Sequence, residues 1–293
     1  MTVHRITTGH VSALLALPED LDTTAAQAAD RTLPGGWTLQ LCHAAPSAAA
    51  VEITIGPPAV AADPCTVHLH LPRATAASDT LAYATYTALE RARQQQHKVT
   101  VHATAITAPH GRAVLLLGAK GAGKTSTALA LARRGWTHAG DDLVVLGQSS
   151  DGTVQVWPGK PTAAVRDPAR PLDPKPQQAL KPFAADPAPL ARIIRMTVHP
   201  TLLTASLTPA VPLTANERLR LHENLGRYIS GLPTPVSGVA PMPYGPVWPL
   251  DTPALARWRS HLIATLASYQ FDYLYAAGPE KAADLLTKEA ETG

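Results

Sequence analysis

Apolar and polar positions along the chain predict many short strands and a few helices. Val51–Ile55 and Thr66–Leu71 alternate as half-buried strands do. Leu81–Gln96 instead repeats its apolar residues at helical spacing, which predicts an amphipathic helix. The uninterrupted apolar run Ala113–Leu117 is typical of a strand that is buried on both faces. The first 97 residues therefore predict a section of mixed strands and helices.

Beyond residue 97 the pattern predicts strands that are joined by short connections. Val99–Ile106 leads through a short turn into Ala113–Leu117, and two neighbouring strands joined so closely are antiparallel. The turn signal Asp151–Gly152 between the apolar runs Leu143–Leu146 and Thr153–Trp157 predicts a hairpin. A simple alternation of strands and helices would not produce these pairs, so the pattern favours a mixed sheet.

Proline-rich connections separate the remaining elements. Pro158–Pro189 contains too many prolines for a long helix or a central strand, and it is interpreted as an ordered surface loop, a mobile flap or a solvated linker. Thr214 and Glu217 form a capping box for a helix over Thr214–Ile229, with Leu219 and Leu225 expected on one face. The other predicted elements are a strand at Ile193–Val198, a helix at Pro253–Ala267, a strand at Phe271–Tyr275 and a helix at Glu280–Glu289.

Composition places the chain among ordinary globular proteins. Its 293 residues are 45% hydrophobic, which is ample for a buried core in one large domain or two. The net charge of +3 is small and the basic residues are scattered, so neither nucleic acid nor a membrane surface is an expected partner. Two cysteines disfavour a disulfide scaffold, and no run approaches the roughly 18 to 20 apolar residues of a membrane span. Because an export signal is also lacking, we expect a cytoplasmic protein.

One motif indicates phosphate binding. Residues 118–125 read Gly-Ala-Lys-Gly-Ala-Gly-Lys-Thr, a complete G-x-x-x-x-G-K-[ST] phosphate loop between a buried strand and an alanine-rich helix over Thr125–Arg134. The glycines let backbone N–H groups face a phosphate, and the helix adds its positive end. Lys124 is expected to reach the β- and γ-phosphates, and the Thr125 hydroxyl is expected to bind Mg²⁺. The residues expected to bind the nucleoside triphosphate are Gly118, Ala119, Lys120, Gly121, Ala122, Gly123, Lys124, Thr125 and Ser126.

Several motifs together resemble a known family. Val101–Ala105, the phosphate loop, and Gly140–Leu146 are similar to the C-terminal catalytic domain of HPr kinase/phosphorylase and, more closely, to HPr-kinase-like proteins found with peptide-tailoring systems. The similarity covers residues 98–147, with a weaker echo at Ser268–Tyr275. It implies an α/β fold of the HPr-kinase-like (PEP-carboxykinase-like) P-loop type, with a mixed sheet and helices, over residues 98–293. Residues 1–97 would then form a smaller α+β N-terminal section.

The resemblance also implies a reaction, namely transfer of the γ-phosphate of ATP to a hydroxyl. The acceptor would be a serine or threonine of a peptide or protein, or a small-molecule alcohol. Asp141 is similar to the carboxylate that accepts the hydroxyl proton, and His102 to the histidine that orients or tunes that acid. Asp142 would support Mg²⁺ together with Thr125, and the two aspartates can exchange these roles. The resembled kinases assemble, so a homo-oligomer stays open.

Two further features narrow the predicted function. An acid pair that precedes its strand disfavours a motor or transporter ATPase, and the recognition loop of the bifunctional enzymes is not recognisable between residues 158 and 200, so HPr is not predicted as the substrate. A nucleotide-gated binding or regulatory module without phosphotransfer therefore remains the alternative. Residues 1–97 are expected to take part in binding the acceptor. Basic residues that are candidates to contact phosphates or an acidic acceptor, with Arg166 and Lys181 ranked first, are Arg166, Arg170, Lys175, Lys181, Arg192 and Arg195.

Overall fold

A computed structural model divides the chain into two compact units. The structure describes residues 2–9, 11–21, 38–42, 49–62, 66–78, 80–165, 175–229 and 250–292. Unit 1 comprises Met1–Thr100 with Glu223–Ser260, and unit 2 comprises Val101–His222 with His261–Gly293. The chain therefore leaves the first unit and later returns to it. Two independent domains with a boundary after residue 97 stay a prediction.

Unit 1 is built on a six-stranded sheet. Its strands are β1 (Thr2–Thr8), β2 (Val11–Leu17), β3 (Thr38–Leu41), β4 (Val51–Ile55), β5 (Ala59–Ala62) and β6 (Val67–Leu71), in the order β3-β1-β2-β4-β6-β5. Two helices follow, α1 (Arg73–Ala76) and α2 (Thr80–Gln95), and α2 packs on β2 and β4. The strands and helix predicted from the alternating patterns are confirmed. The pattern missed β1 because two of its buried positions are the polar residues His4 and Thr8.

Residues from both segments of unit 1 share a buried polar network around α2. The Arg93 Nη1 lies 2.7 Å from the Glu90 Oε2, and both side chains are fully buried. The Gln94 amide donates to the Leu225 carbonyl at 3.4 Å and accepts from the Arg259 Nη1 at 2.7 Å. Unpaired buried polar groups are costly, so these bonds tie the later segment to the first one.

Unit 2 contains a mixed sheet. Its strands are β8 (Thr104–Thr107), β9 (Ala113–Leu117), β10 (Thr137–Gly140), β11 (Val144–Gln148), β12 (Val154–Trp157), β15 (Ala188–Val198), β16 (Ser206–Pro209) and β17 (Gln270–Ala276), while β13 (Thr162–Ala164) and β14 (Gln177–Ala179) form a separate hairpin. The strands β9, β15 and β17 are parallel, and β10 and β8 continue the sheet antiparallel beyond β9. The first residues of β15 also pair with β12, which pairs with β11. The expected α/β class with a mixed sheet is confirmed, as are the antiparallel β8–β9 pair and the β11–β12 hairpin.

The single strand predicted over Val99–Ile106 is wrong. The backbone bends at His102 and Ala103, which separates β7 (Lys98–Val101) from β8. Both halves are strand-like in composition and the bend contains neither glycine nor proline, so the sequence pattern carries no sign of the break.

Two helices cover one face of the unit 2 sheet. They are α3 (Lys124–Ala132) and α6 (Pro279–Thr292), and they pack against each other. The core between the helices and the sheet includes Leu131, Trp136, Ile194, Met196 and Leu286. Each such side chain contributes about 1.5–3 kcal/mol by leaving water, so this core holds the start of α3 in place.

The helices α4 (Ala215–Gly226) and α5 (Pro253–Leu266) each contribute residues to both units. The Thr214 Oγ1 accepts a hydrogen bond from the Glu217 N–H at 3.2 Å, which confirms the predicted cap. The predicted buried face is wrong in part, because Leu219 is 58% exposed whereas Glu217 and Leu221 are buried. None of the helices in the described residues is long and apolar enough to cross a membrane.

Candidate phosphate-binding site

The phosphate loop connects β9 to α3 in unit 2. Gly123 has a φ of +87°, and a Cβ at this position would lie 2.6 Å from the Val198 Cβ. A side chain there would therefore meet both a strained backbone and a collision with β15. The Ala122 carbonyl also accepts a hydrogen bond from the Val198 N–H at 3.2 Å. The loop is thus fixed against β15 as well as joined to β9.

Lys124 lies at the start of α3 and points back over the loop. Its Nζ donates to the Gly118 carbonyl at 2.8 Å and to the Ala119 carbonyl at 3.2 Å. Burial lowers the pKa of Lys124, the charges of Asp142 and Asp141 raise it, and the charge of Arg195 lowers it again. The lysine therefore lies within electrostatic range of both aspartates and of one arginine.

Asp141 is the best-connected carboxylate of the site. It is 1% exposed, and the Thr125 Oγ1 lies 2.9 Å from its Oδ1 and 3.0 Å from its Oδ2. The Thr104 Oγ1 donates to Oδ1 at 2.5 Å. Burial raises the pKa of Asp141, the neighbouring charge of Asp142 adds to this, and the two threonine hydroxyls and Lys160 act in the opposite direction.

Asp142 has a different environment from its neighbour. It is half-buried, and its backbone has a φ of +60° in the left-handed region, which aspartate tolerates better than most residues. Its charge is a larger influence on the pKa of Lys124 than that of Asp141. Asp141 therefore hydrogen-bonds with Thr125, whereas the charge of Asp142 has the larger effect on the pKa of Lys124.

Lys160 joins the proline-rich segment to this site. It is 6% exposed, and its backbone carbonyl accepts from the Asp141 N–H at 3.2 Å while its own N–H donates to the Leu143 carbonyl at 2.8 Å. Gly159 donates to the Ala139 carbonyl at 2.7 Å. The start of the proline-rich segment is therefore ordered beside the acid pair, which supports the ordered-loop interpretation for this part.

The other end of the proline-rich segment is also fixed. His138 of β10 donates its N–H to the Pro182 carbonyl at 3.0 Å, and its carbonyl accepts from the Ala184 N–H at 2.7 Å. Between the two ends, β13 pairs with β14. Arg166 lies outside the described residues, and Lys181 is exposed.

The remaining expected site residues lie on the bend before β8, on the loop and on the first turn of α3. His102 lies at the bend before β8 and is half-buried, two residues before the Thr104 that contacts Asp141. Its role beside the acid stays a prediction. Lys120 and Ser126 are exposed on the loop and on the first turn of α3.

The structure adds three residues that sequence reasoning missed or ranked too low. Thr104 stands within the quoted motif, but a threonine in a strand gives no signal of its own. Lys160 follows a glycine between two prolines, a position that reads as a plain turn. Arg195 had a signal, because a charged residue between Ile194 and Met196 interrupts an apolar strand.

The donor set of the site fits Mg²⁺ and a triphosphate. A threonine hydroxyl and a carboxylate offer the hard oxygen ligands that Mg²⁺ prefers, and a buried lysine with loop N–H groups suits phosphate. Asp141, buried with a raised pKa, is also a group whose ionised form a divalent cation would stabilise.

Comparisons with known proteins add little to this geometry. No family model matches the chain, and no curated protein matches it. Among solved structures, the chain is similar to the Hpr(Ser) kinase/phosphatase from Coxiella burnetii, with 17% sequence identity and a TM-score of 0.26. The match covers 38% of this chain and 70% of the other. At this TM-score the likeness carries no argument about fold or activity.

Proposed function

We propose that the protein is an ATP-dependent kinase of the HPr-kinase-like type that transfers the γ-phosphate to a hydroxyl. The observation that carries this proposal is the contact between the Thr125 hydroxyl and the buried Asp141 carboxylate, with a second carboxylate directly beside it. Phosphoryl transfer requires neutralised phosphate charge, an aligned acceptor and one group to take the alcohol proton. A phosphate loop with two neighbouring carboxylates can supply all three.

The contacts favour an exchange of the roles that the resemblance suggested for the two acids. Asp141 and Thr125 would hold Mg²⁺, which when bound neutralises charge on the β- and γ-phosphates. Asp142 is half-buried, and its charge affects the pKa of Lys124 more than the charge of Asp141 does. Asp142 would accept the proton of the acceptor hydroxyl. The acceptor oxygen would form a bond to the γ-phosphorus as the bond from that phosphorus to the leaving ADP oxygen breaks.

For the acceptor, we propose a chemical class and not a particular molecule. It carries a hydroxyl, as serine or threonine of a peptide or protein or as a small alcohol. Residues 1–97 are proposed to help bind it. A cytoplasmic location, assembly into a homo-oligomer, and the absence of nucleic-acid and membrane partners remain part of the proposal.

Intact-mass measurement tests the reaction and the roles together. Wild-type protein with Mg-ATP should add one phosphate to a hydroxyl-bearing peptide or alcohol from a panel. Asp142→Asn should keep nucleotide affinity and lose transfer by at least about a hundredfold, whereas Asp141→Asn should lose the Mg²⁺ dependence of nucleotide binding. Asp151→Asn, which alters an exposed carboxylate, is the matched control.

The same assay distinguishes the alternatives. Normal transfer by Asp142→Asn together with lost transfer and retained Mg²⁺-dependent nucleotide binding by Asp141→Asn would restore the roles suggested by the resemblance. Nucleotide binding that protects the chain from proteolysis, without transfer to any acceptor, would favour a nucleotide-gated regulatory module.

A further inference from the structure

The end of β15 runs alongside the phosphate loop. Arg195 is in register with Leu117, the residue directly before the loop. One residue later, the Met196 carbonyl oxygen would lie 3.1 Å from a Cβ at Gly118. Val198 then donates its N–H to Ala122 in the loop. The backbone of β15 from Arg195 to Val198 is therefore held against the loop.

Arg195 points away from the core that supports the loop. Met196 is buried in the core beneath α3, and side chains alternate along a strand, so Arg195 faces the opposite side of the sheet. There it meets Glu217 of α4. The arginine Nε lies 3.1 Å from the Glu217 Oε2, and the Nη2 donates to the same oxygen.

Glu217 holds one edge of the guanidinium in a fixed place. Its side chain is 2% exposed, its backbone N–H is capped by Thr214, and it also accepts from the Arg220 Nη1 at 3.2 Å. Within the described residues no hydrogen bond of the Arg195 Nη1 is found, and the arginine side chain keeps 18% exposure. The second edge of a planar guanidinium is thus left with donors that suit an oxyanion.

Two positive side chains influence each other electrostatically near this end of the loop. Burial is the main cause that lowers the pKa of Lys124, and the charge of Arg195 adds to it. Two cations repel each other, and Glu217 pairs with Arg195 but makes no described hydrogen bond to Lys124. An anion that both cations contact would turn this repulsion into a shared attraction.

We propose that Arg195 binds the terminal phosphoryl group of the nucleoside triphosphate through its Nη1 edge, with Glu217 as its positioning residue. This inference rests on the proposed function, because that function places the nucleotide in the phosphate loop. Arg195 lies within electrostatic range of Lys124, which in a loop of this type reaches the β- and γ-phosphates. Arg195 therefore makes the site selective for a triphosphate over a diphosphate.

Calorimetric titration with Mg-AMP-PNP and with Mg-ADP tests this selectivity without requiring turnover. Arg195→Met should weaken AMP-PNP binding about tenfold to a hundredfold, the effect of a lost charged hydrogen bond, and should change ADP binding less than about threefold. Arg195→Lys should fall between, since it retains the charge but not the planar fork. Arg220→Met, which removes the other partner of Glu217, should affect neither nucleotide.

Two binding results would overturn the proposed role of Arg195. Equal losses for the two nucleotides would overturn it, because the arginine would then contact the α- or β-phosphate or act only on the fold. Unchanged AMP-PNP affinity in Arg195→Met, or in Arg195→Lys if the methionine variant does not fold, would also overturn it.

Failure of the proposed function gives a different pattern. Arg195-dependent AMP-PNP binding with no transfer to any acceptor would leave this inference standing and remove the kinase. A wild-type protein that binds neither nucleotide would remove both. A loss of affinity for the phosphorylated acceptor alone, with AMP-PNP binding unchanged, would assign the arginine to the acceptor's phosphate and overturn the inference as stated.

Discussion

Asp141 is a buried carboxylate whose environment disfavours its own charge. Burial and the charge of Asp142 raise its pKa, and two threonine hydroxyls and Lys160 offset part of this effect. Such a residue costs stability in the protein without ligand, and a bound cation would recover that cost. This is the usual exchange of stability for function at a site.

Asp141→Asn is therefore expected to stabilise the ligand-free protein by about 1 kcal/mol at neutral pH. The amide can still hydrogen-bond with Thr125 and Thr104 but carries no charge. A raised folded pKa means that the wild-type penalty is absent below the unfolded carboxyl value, near 4, and grows as pH rises through the folded pKa. Thermal unfolding at pH 4 and pH 8 should show the larger gain at pH 8.

Asp151→Asn is expected to change folding stability in the opposite direction. Its carboxylate accepts hydrogen bonds from Ser149 and the Thr153 N–H, which lower its pKa, so its contribution is present above the unfolded value and is lost as pH falls. This variant should lose stability at pH 8 and, to a similar degree, at pH 4, and the loss should shrink only as pH falls further toward about 2. A gain in both variants at pH 8 would contradict the assignment of burial as the dominant effect at Asp141.

Lys160→Met is expected to move the acid limit of Mg²⁺-dependent nucleotide binding to higher pH. The lysine charge lowers the pKa of Asp141, and an ion binds the deprotonated carboxylate. Nucleotide affinity measured with and without Mg²⁺ between pH 4 and pH 8 would show the shift. Lys175→Met, at an exposed lysine of the same segment, should leave the limit unchanged.

Sequence and structure agree most closely for groups of residues that are neighbours in the sequence. The phosphate loop and the acid pair are each continuous in sequence, so the spacing of the loop and the family resemblance of Gly140–Leu146 could indicate them. Thr104, Lys160 and Glu217 contact the site through folding over long sequence distances, and no local pattern records such contacts. From sequence, Arg166 and Lys181 are stronger candidates than Arg195 because they lie in the proline-rich segment. The only sequence sign of Arg195 is that it interrupts an apolar strand.

At the scale of elements, strands with clear alternation were predicted well and irregular ones were not. β4, β6, β9 and β12 have the apolar patterns of buried or half-buried strands. The short strand β14 is exposed throughout, and β16 is mostly exposed, so no hydrophobic pattern marks them. In α4 the pattern favoured Leu219, whereas the buried position belongs to Glu217 because it pairs with Arg195.

The cap of α4 offers a test at this scale. Thr214→Ala should cost about 1 kcal/mol of stability, the usual value of an N-cap side chain. It should also weaken AMP-PNP binding, since it loosens the turn that carries Glu217. Thr252→Ala removes the matching cap of α5, where the Leu255 N–H donates to the Thr252 Oγ1 at 3.3 Å. Denaturant unfolding should show similar losses for both variants, and only Thr214→Ala should change nucleotide affinity.

At the scale of the whole molecule, the chain passes between the two units more than once. Glu223–Ser260 belongs to unit 1 together with Met1–Thr100, although the sequence suggested one division near residue 97. The sequence could not reveal this return, because the buried bonds of Gln94 and Arg259 join residues that are 165 positions apart. Only long-range contacts record such a path.

A fragment of residues 98–293 is therefore expected to fold poorly. It would keep Leu225, Leu250 and Arg259 but lose Gln94 and Arg91, which bond to them. Circular dichroism and thermal unfolding of the fragment and of the full chain would measure this difference. Cooperative unfolding of the fragment with full nucleotide affinity would contradict the expectation and would support an independent domain beginning at residue 98.

The proline-rich segment is anchored at both ends to the strand and turn that carry Asp141, through Gly159 and Lys160 at one end and Pro182 and Ala184 at the other. Insertions or replacements between these anchors can therefore change what the segment presents without moving the acid pair. In the proposed kinase, such an arrangement would keep changes in this segment separate from the chemistry of phosphate transfer. For an engineer, the anchored ends at Lys160 and Pro182 therefore mark where sequence can be exchanged while the phosphate loop and the acid pair are left unaltered.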